Sequence, residues 1–180
     1  MSVKNSVFIA TSLDGYIADK EGGIDYLNSI PNPKGDDMGY SQFIARIDAI
    51  VMGRTTFETV CSFDMEWPYT IPVFVLSNRL TEIPAPYKGK AYLAKGPLTE
   101  VLSGINEQGF NKLYIDGGKT IQSFLQEDLI DEMVITTIPV LLGGGFSLFG
   151  ELANPLAFKC VETTVLLDAV VQSRFMRTKE

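Results

Sequence analysis

Short apolar runs recur along the chain, and most are bounded by glycine, proline or polar residues. Runs of this kind are typical of buried strands. They predict strands within the stretches SVFIATSLDGYIA, DAIVMG, IPVFVLS, KAYLAKG, KLYIDGG, DEMVITTIPVLLGGG, FKCVETTVLL and VVQSRFMRT. The first stretch turns at Asp14 and Gly15, and the Gly-, Pro- and Asn-rich residues 22–37 predict a long loop.

Four segments between these strands carry apolar residues at helical spacing. Helices are predicted by RTTFETVCSF and by three apolar rows, namely Tyr40, Phe43, Ile44 and Ile47; Leu98, Val101, Leu102 and Ile105; and Ile121, Phe124, Leu125 and Leu129. Asp36 or Asp37 suits the N-terminal cap of the first helix. Pro97 suits the start of the third helix, and Gly109 follows its end.

Strands and helices alternate until the last two strands, which follow each other directly as a hairpin. This order predicts an α/β fold with helices on both faces of a mostly parallel sheet of about eight strands, closed by an antiparallel C-terminal edge. No internal repeat or linker interrupts the pattern. We therefore expect a single domain over residues 1–180.

The amino-acid composition excludes several classes of partner and of catalytic site. The chain of 180 residues is 46% hydrophobic and carries 15 basic against 22 acidic residues, a net charge of -7, which argues against nucleic acid or an anionic membrane as partner. Histidine is absent, which excludes a Ser-His-Asp triad and a histidine zinc site, and we expect no metal. The two cysteines are too few for a disulfide framework and favour a cytoplasmic setting.

The stretch YIDGGKT, residues 114–120, ends like a Walker phosphate loop. The first glycine of such a loop is missing, because Leu113 stands in its place. A double glycine between a strand and a helix still lets a ligand approach the backbone closely, and a plain tight turn is the alternative. The candidate residues are Gly117, Gly118, Lys119 and Thr120, and Asp116 is interpreted as a turn or cap residue.

Two further strand exits carry residues suited to anions. The exit MGRTT places Gly53, Arg54, Thr55 and Thr56 at a helix start, where backbone N–H groups favour negative charge. The exit LSNR offers Leu76, Ser77, Asn78 and Arg79, a set suited to a phosphate monoester. A simple helix cap and a polar turn are the alternatives. Because ligands of open α/β sheets bind at the carboxyl ends of strands, the three exits together predict a dinucleotide across one sheet edge.

The stretches IATSLDGYIA, AIVMGRTTFE, VFVLSNR, YIDGGKT and VITTIPVLLGGGFSLF occur in this order. In this respect the chain resembles the dihydrofolate reductase fold, and more closely the reductase (C-terminal) domain of the riboflavin-biosynthesis deaminase–reductase and its stand-alone relatives. The resemblance implies an NADPH-dependent reductase with a three-layer fold, and the relatives suggest a homodimer. It implies that Ala10 and Ile17 flank the nicotinamide, that GRTT binds the pyrophosphate and LSNR the 2′-phosphate, and that Gly117 and Gly118 pass under the cofactor.

The substrate side departs from folate reductases. Residues 22–40 contain no tryptophan where those enzymes carry a Leu-Pro-Trp-type segment. Asp37 is the candidate carboxylate for proton delivery, with a helix cap as the alternative. Thr136 matches the family's substrate-side threonine, with a buried filler as the alternative. We expect a small heterocyclic or carbonyl substrate. The rivals are a reductase of ribityl- or ribosyl-aminopyrimidines and a nucleotide-binding module without catalysis.

Overall fold

A computed structural model describes residues 2–179 of the chain. Its strands are β1 Lys4–Ser12, β2 Tyr16–Ala18, β3 Ala49–Gly53, β4 Val73–Leu76, β5 Ala91–Ala94, β6 Lys112–Asp116, β7 Glu132–Ile138, β8 Phe146–Ser147, β9 Phe158–Leu166 and β10 Val170–Arg177. Its α-helices are α1 Tyr40–Ile44, α2 Arg54–Ser62, α3 Leu98–Glu107 and α4 Gly118–Gln126, and short 3-10 helices cover Asp25–Asn28 and Ala85–Tyr87.

Eight strands form the main sheet in the order β5-β4-β3-β6-β1-β7-β10-β9. The first six strands in this order, from β5 across to β7, are parallel to one another. Strand β10 is antiparallel to both of its neighbours, β7 and β9. The predicted fold class, a mostly parallel sheet with an antiparallel C-terminal edge, is confirmed. The parallel part brings the carboxyl ends of six neighbouring strands to one edge, which is where the predicted ligand site lies.

Alternating side chains of the central strands feed two separate cores. In β3, Ile50 and Met52 pack with Phe43 of α1 and Phe57 of α2. Ala49 and Val51 point to the other face, where the cluster includes residues of α3 and α4 such as Val101, Leu102, Phe124 and Leu125. Because both faces are covered, the central strands are continuously apolar, as buried parallel strands require. The result is the predicted three-layer arrangement.

The first helix is shorter than its apolar row predicts. It ends at Ile44 after five residues, so Ile47 lies beyond it, although Ile47 is still buried. The backbone N–H of Asp48 donates to Lys112 O, and the Asp48 carboxylate accepts the N–H groups of Asn111 and Lys112. These bonds direct the chain into β3 and prevent the helix from continuing.

The apolar pattern of the sequence does not predict a small second sheet. Strands β2 and β8 pair as an antiparallel ribbon of three and two residues. Runs this short carry no recognisable period. The ribbon fixes the loop after β1 beside the glycine-rich loop after β7. Within residues 2–179, no helix has the length and apolar character needed to cross a membrane.

Candidate functional site

The strand exits that carry the predicted site residues lie side by side. Gly53 of β3 pairs in register with Leu76 of β4, and Met52 pairs with Asp116 of β6. On the far side of β6, β1 pairs with β7, with Ala10 opposite Thr136. The candidates therefore form one row along the carboxyl edge of the sheet, in the strand order β4-β3-β6-β1-β7.

Two helices begin without a side-chain cap in the middle of this row. Helix α2 starts after Gly53 and helix α4 after Gly117, and neither cap residue makes a side-chain hydrogen bond. The first N–H groups of both helices therefore have no intrahelical acceptor. Since β3 and β6 are neighbours, two positive helix ends meet at adjacent strands, an arrangement that favours an anionic ligand.

The cap glycines stand in close contact with threonine hydroxyls of the opposite helix. A Cβ built on Gly53 would lie 2.7 Å from Thr120 Oγ1, and one built on Gly117 would overlap Thr56 Oγ1. Gly117 also has a φ of +97°, which favours glycine. The structure thus brings Gly53, Thr56, Gly117 and Thr120 together, and larger residues would close the cleft between the helices.

Gly118 lies against the loop after β1. A Cβ on Gly118 would lie 2.6 Å from Ile17 Cδ1 and 3.7 Å from Ser147 O. Ile17 is held by the β2–β8 ribbon and by Tyr26, whose hydroxyl donates to Ile17 O over 3.0 Å. Ile17 and the double glycine, which are separated by a hundred residues in sequence, therefore bound the same small space.

The Asp14 carboxylate fastens this loop to the glycine-rich loop. It accepts the N–H groups of Leu142 and Gly143 over 3.1 and 2.8 Å, and the Ser12 hydroxyl over 2.6 Å. The Ser12 hydrogen bond in particular lowers the pKa of Asp14, with the two N–H groups adding to the effect. The residues around Ile17 are thereby positioned by several long-range bonds.

Asp116 is the carboxyl group at the centre of the row. It ends β6 and precedes the double glycine, and its Oδ1 accepts the N–H of Gly117 over 2.9 Å. Burial raises the pKa of Asp116 to about 6, although the hydrogen bond from the Gly117 N–H opposes the shift. A carboxyl group with this pKa is half protonated near pH 6 and still about one tenth protonated at pH 7, so it can both donate and accept a proton in this range.

Three tyrosines lie close enough to Asp116 for its charge to affect their pKa values. Burial, and then the charge of Asp116, raise the pKa values of Tyr40, Tyr69 and Tyr114. Tyr114 donates its hydroxyl to Phe8 O, whereas no hydrogen bond is found for the hydroxyls of Tyr40 and Tyr69 in the part of the chain that the structure describes. The space beside Asp116 is therefore aromatic, with two neutral hydroxyls available to a ligand.

Asp37 lies at the start of α1, where its carboxylate accepts backbone hydrogen bonds. Its Oδ1 accepts the N–H of Gly39, and its Oδ2 accepts the N–H of Ser41, both over 2.9 Å, at the start of α1. Hydrogen bonds from the Ser41 side chain and these N–H groups lower the pKa of this exposed carboxylate. A carboxylate held in its ionised form is a poor proton donor, so the geometry favours the helix-start role.

Thr136 is buried, as its position in β7 leads one to expect. Its hydroxyl accepts a hydrogen bond from Gln172 Nε2 over 2.9 Å, and the same amide donates to Met38 O over 2.8 Å. Thr136 therefore anchors the residues that precede α1. Its pairing with Ala10 also places it next to the proposed nicotinamide side of the row.

Two exposed cations of the row are Arg79, in the turn after β4, and Lys119, at the start of α4. Ser77 Oγ accepts the N–H groups of Arg79 and Leu80, while Asn78 Oδ1 accepts the N–H of Gly96 over 3.4 Å. Arg79 and Lys119 are exposed, and neither makes an ion pair within residues 2–179.

The start of α2 supplies one more cation to the row. Arg54 pairs with Glu58 over 3.0 Å, one turn further along the helix. Thr55, which follows Arg54, is exposed. Arg54 thus stands beside the uncapped N–H groups of α2, although Glu58 offsets part of its charge.

Comparison with known proteins agrees with this architecture. Dihydrofolate reductase from Enterococcus faecalis, solved with NADP(H) bound, superposes with a TM-score of 0.67 at 16% sequence identity and covers 98% of this chain and 97% of its own. At that identity the likeness concerns the fold alone. The sheet order and the superposition define a protein with the dihydrofolate reductase-like fold.

Sequence comparison assigns the family. The family model of the RibD C-terminal domain matches residues 5–171, so the chain belongs to the RibD C-terminal domain family. A crystal structure of a Shewanella sp. PV-4 protein, assigned provisionally to riboflavin biosynthesis, is 55% identical with a TM-score of 0.96 and covers 98% of this chain and 99% of its own. The uncharacterised protein YwjB of Bacillus subtilis (strain 168) is 34% identical, over 98% of this chain and 99% of its own length. Membership supports a reductase role.

Proposed function

We propose that the protein is an NADPH-dependent reductase that transfers hydride to a small, uncharged heterocyclic or carbonyl substrate. The observation that carries this proposal is the pair of uncapped helix starts at the neighbouring strands β3 and β6, each preceded by a glycine. Within a reductase family, a site for a dinucleotide pyrophosphate is the simplest use of this pair.

The residues present fit such a cofactor. Gly53, Arg54, Thr55 and Thr56, together with Lys119 and Thr120, would hold the pyrophosphate between the two helix starts. Leu76, Ser77, Asn78 and Arg79 would hold the adenosine 2′-phosphate at the outer end of the row. Gly117 and Gly118 leave room for a flat ring, because a Cβ at either position would fill the space against Thr56 or Ile17. Ala10 and Ile17 would border the nicotinamide.

When bound, the cofactor supplies the hydride, and the chain supplies orientation and the proton. Asp116 is the proposed proton source, in preference to Asp37, because it lies inside the row and burial raises its pKa to about 6. Its Oδ2 is the oxygen that is left for a substrate, since Oδ1 accepts the Gly117 N–H. Thr136 would position the substrate side through Gln172.

The surroundings of Asp116 favour an uncharged substrate over the phosphate ester of a ribosyl-aminopyrimidine. The charge of Asp116 raises the pKa values of three tyrosines, namely Tyr40, Tyr69 and Tyr114. Within residues 2–179, no cation contributes to the pKa shift of Asp116. A riboflavin-type reductase would need a cation at this position to hold the substrate phosphate.

Cofactor binding and cofactor choice are tested by two arginine variants. Arg79→Ala should weaken NADPH binding roughly ten- to a hundred-fold, because charge-assisted hydrogen bonds contribute about 1.5–3 kcal/mol, while NADH affinity stays nearly constant. Arg54→Ala should weaken both cofactors together, since it faces the part that they share. Titration calorimetry with each cofactor measures the four affinities.

Three outcomes would count against the proposal. No rise in melting temperature at millimolar NADPH would contradict the cofactor assignment, because a ligand specific for the native state must stabilise it. An equal loss of NADPH and NADH affinity in Arg79→Ala would contradict the placement of the 2′-phosphate. Binding of NADPH without oxidation across a panel of carbonyl and heterocyclic compounds would favour the non-catalytic alternative.

We also propose that the protein acts in the cytoplasm and as a homodimer. Cys61 and Cys160 are both free thiols, which a reducing compartment preserves. The dimer proposal rests on β9, the edge strand of the sheet, which has a run of exposed residues from Lys159 to Val165. A long open edge of this kind is usually covered in native proteins.

A further inference from the structure

A cavity of about 390 Å³ lies on the α1 face of the sheet, away from the row of strand exits. Helix α1 packs over the neighbouring strands β1 and β6 through the contacts of Phe43 with Phe8 and Tyr114. Because α1 has only five residues, the same face of β10 and β9 stays uncovered beside it. The cavity lies between α1 and these strands and is lined by Gln42, Arg46, Glu162, Thr164, Gln172 and Arg174.

The positive charge of this cavity exceeds what its neighbours neutralise. Glu132 is fully buried and pairs with three cations, Lys4 at 2.9 Å, Arg46 at 3.2 Å and Arg174 at 2.5 Å. Three positive charges thus converge on one carboxylate, and both arginines are partly exposed and line the cavity. Burial opposes the ionised form of Glu132, but hydrogen bonds from Lys4, Arg174 and Arg46 outweigh it and lower its pKa to about 2.

Both arginines retain donors for a ligand. Arg46 uses Nη2 on Glu132, and Arg174 uses Nε on Glu132 and Nη2 on the Met176 sulfur. A guanidinium group has five N–H donors, so several on each arginine have no acceptor within residues 2–179. Two guanidinium groups that converge on one oxygen are spaced to grip a carboxylate or phosphate from two sides.

The rest of the cavity lining is acidic and polar. Glu162 of β9 stands opposite Arg174 of β10 in register, yet the two form no ion pair within the described residues. Thr164 and Gln42 add a hydroxyl and an amide to the lining. An occupant must therefore present an oxyanion to the arginines and hydrogen-bond donors to Glu162.

We propose that this cavity binds a small hydroxylated organic anion, whose carboxylate or phosphate group is held by Arg46 and Arg174. The hydroxyl groups of the ligand donate to Glu162 and exchange hydrogen bonds with Thr164 and Gln42. The volume suits a molecule of metabolite size. The anion-binding end of the cavity is separate from the row of strand exits, since Lys4 and Glu132 begin β1 and β7, at the opposite ends of the strands, whereas Gln172 at the other end of the cavity donates to Thr136.

Titration calorimetry at constant ionic strength tests the site, with malate as the carboxylate probe and glycerol 3-phosphate as the phosphate probe. We expect one of the two to bind with a stoichiometry of one per chain. Arg46→Gln should weaken that binding at least about tenfold, while Lys4 and Arg174 still neutralise Glu132. Glu162→Gln should weaken it about two- to five-fold, because the ligand hydroxyls lose a charged hydrogen-bond acceptor, a loss that outweighs the relief of the like charge.

Lys88→Gln is the matched control, since it removes one positive charge at an exposed ion pair with Glu82. The Lys88→Gln variant should bind the probe as tightly as the unchanged protein does. Failure of both probes to bind at about 10 mM would overturn the proposal, as would equal losses in Arg46→Gln and Lys88→Gln. Should Arg46→Gln not fold, Glu162→Gln decides alone, because this exposed edge position is tolerant and unchanged affinity there would overturn the proposal.

Discussion

Asp116 shows how one residue acquires a chemical role from its surroundings. In the sequence it is an ordinary acid before a double glycine, where a turn residue is the natural interpretation. The structure adds burial, which raises the pKa of this carboxyl group to about 6, and three phenols whose own pKa values are raised by its charge. Side-chain environment of this kind depends on Tyr40 and Tyr69, far away in sequence, and cannot be predicted from the local motif.

The raised pKa of Asp116 predicts a stability change of known sign. A carboxyl group whose pKa rises from 3.8 to about 6 on folding stabilises the protein below about pH 4, and that contribution is lost as the pH rises through 6. Asp116→Asn should therefore be more stable than the unchanged protein at pH 8 by about 1 to 3 kcal/mol, with the advantage vanishing near pH 4.

Urea unfolding at pH 4, 6 and 8 measures this difference, and reductase turnover measured beside it should fall in the variant. Asp37→Asn is the matched control: its amide keeps only one of the two acceptor oxygens used at the start of α1, so this variant should be less stable than the unchanged protein at pH 8. A stability difference for Asp116→Asn that does not change with pH would contradict the assigned pKa shift.

At the scale of elements, the strands of the main sheet, three of the four helices and their order could be predicted from the apolar pattern. The glycines that start α2 and α4 could also be predicted, because close backbone approach needs them at those positions. The length of α1 and the β2–β8 ribbon could not, since both depend on long-range bonds such as that of Asp48 to Lys112. The cluster of Glu132 with Lys4, Arg46 and Arg174 could not be predicted either, because the three cations come from three separate parts of the chain.

Glu132 ties together β1, β7, β10 and the end of α1, and its loss should loosen all four. Its pKa falls from 4.5 to about 2 on folding, so its stabilising contribution is present above about pH 4.5 and is lost as the pH falls towards 2. Glu132→Gln should lose about 3 kcal/mol at pH 7, a drop of roughly 6 to 12 °C in melting temperature.

The comparison is made by thermal unfolding at pH 7, 5 and 3, where the gap between the two proteins should narrow at pH 3. The exposed Glu82→Gln provides the control, because its ion pair with Lys88 is solvated and contributes little. An equal loss for the two variants would mean that the buried cluster adds nothing beyond an ordinary surface pair.

For the whole molecule, the order of five motifs along the chain was enough to predict the architecture, and the family match over residues 5–171 agrees with it. Motif order succeeds here because the parallel strands must deliver all their carboxyl ends to one edge. The last strand of the sheet order, β9, has no neighbour on its outer side. Strand β9 pairs only with β10, and its outer edge and several of its side chains face outwards.

Val165 is 62% exposed and Val161 44% exposed on this edge strand, and Val171 of β10 is 40% exposed nearby. Apolar side chains along an unpaired strand favour association with a second copy, since a two-fold axis joins identical edges into one larger sheet or packs identical faces. Val165→Lys should therefore shift the protein from dimer to monomer in sedimentation velocity at micromolar concentration. Val3→Lys, a change of equal chemistry at a 47% exposed position outside β9, should leave the dimer intact. A monomeric unchanged protein, or a Val165→Lys variant that remains dimeric, would show that the β9 edge is not the interface.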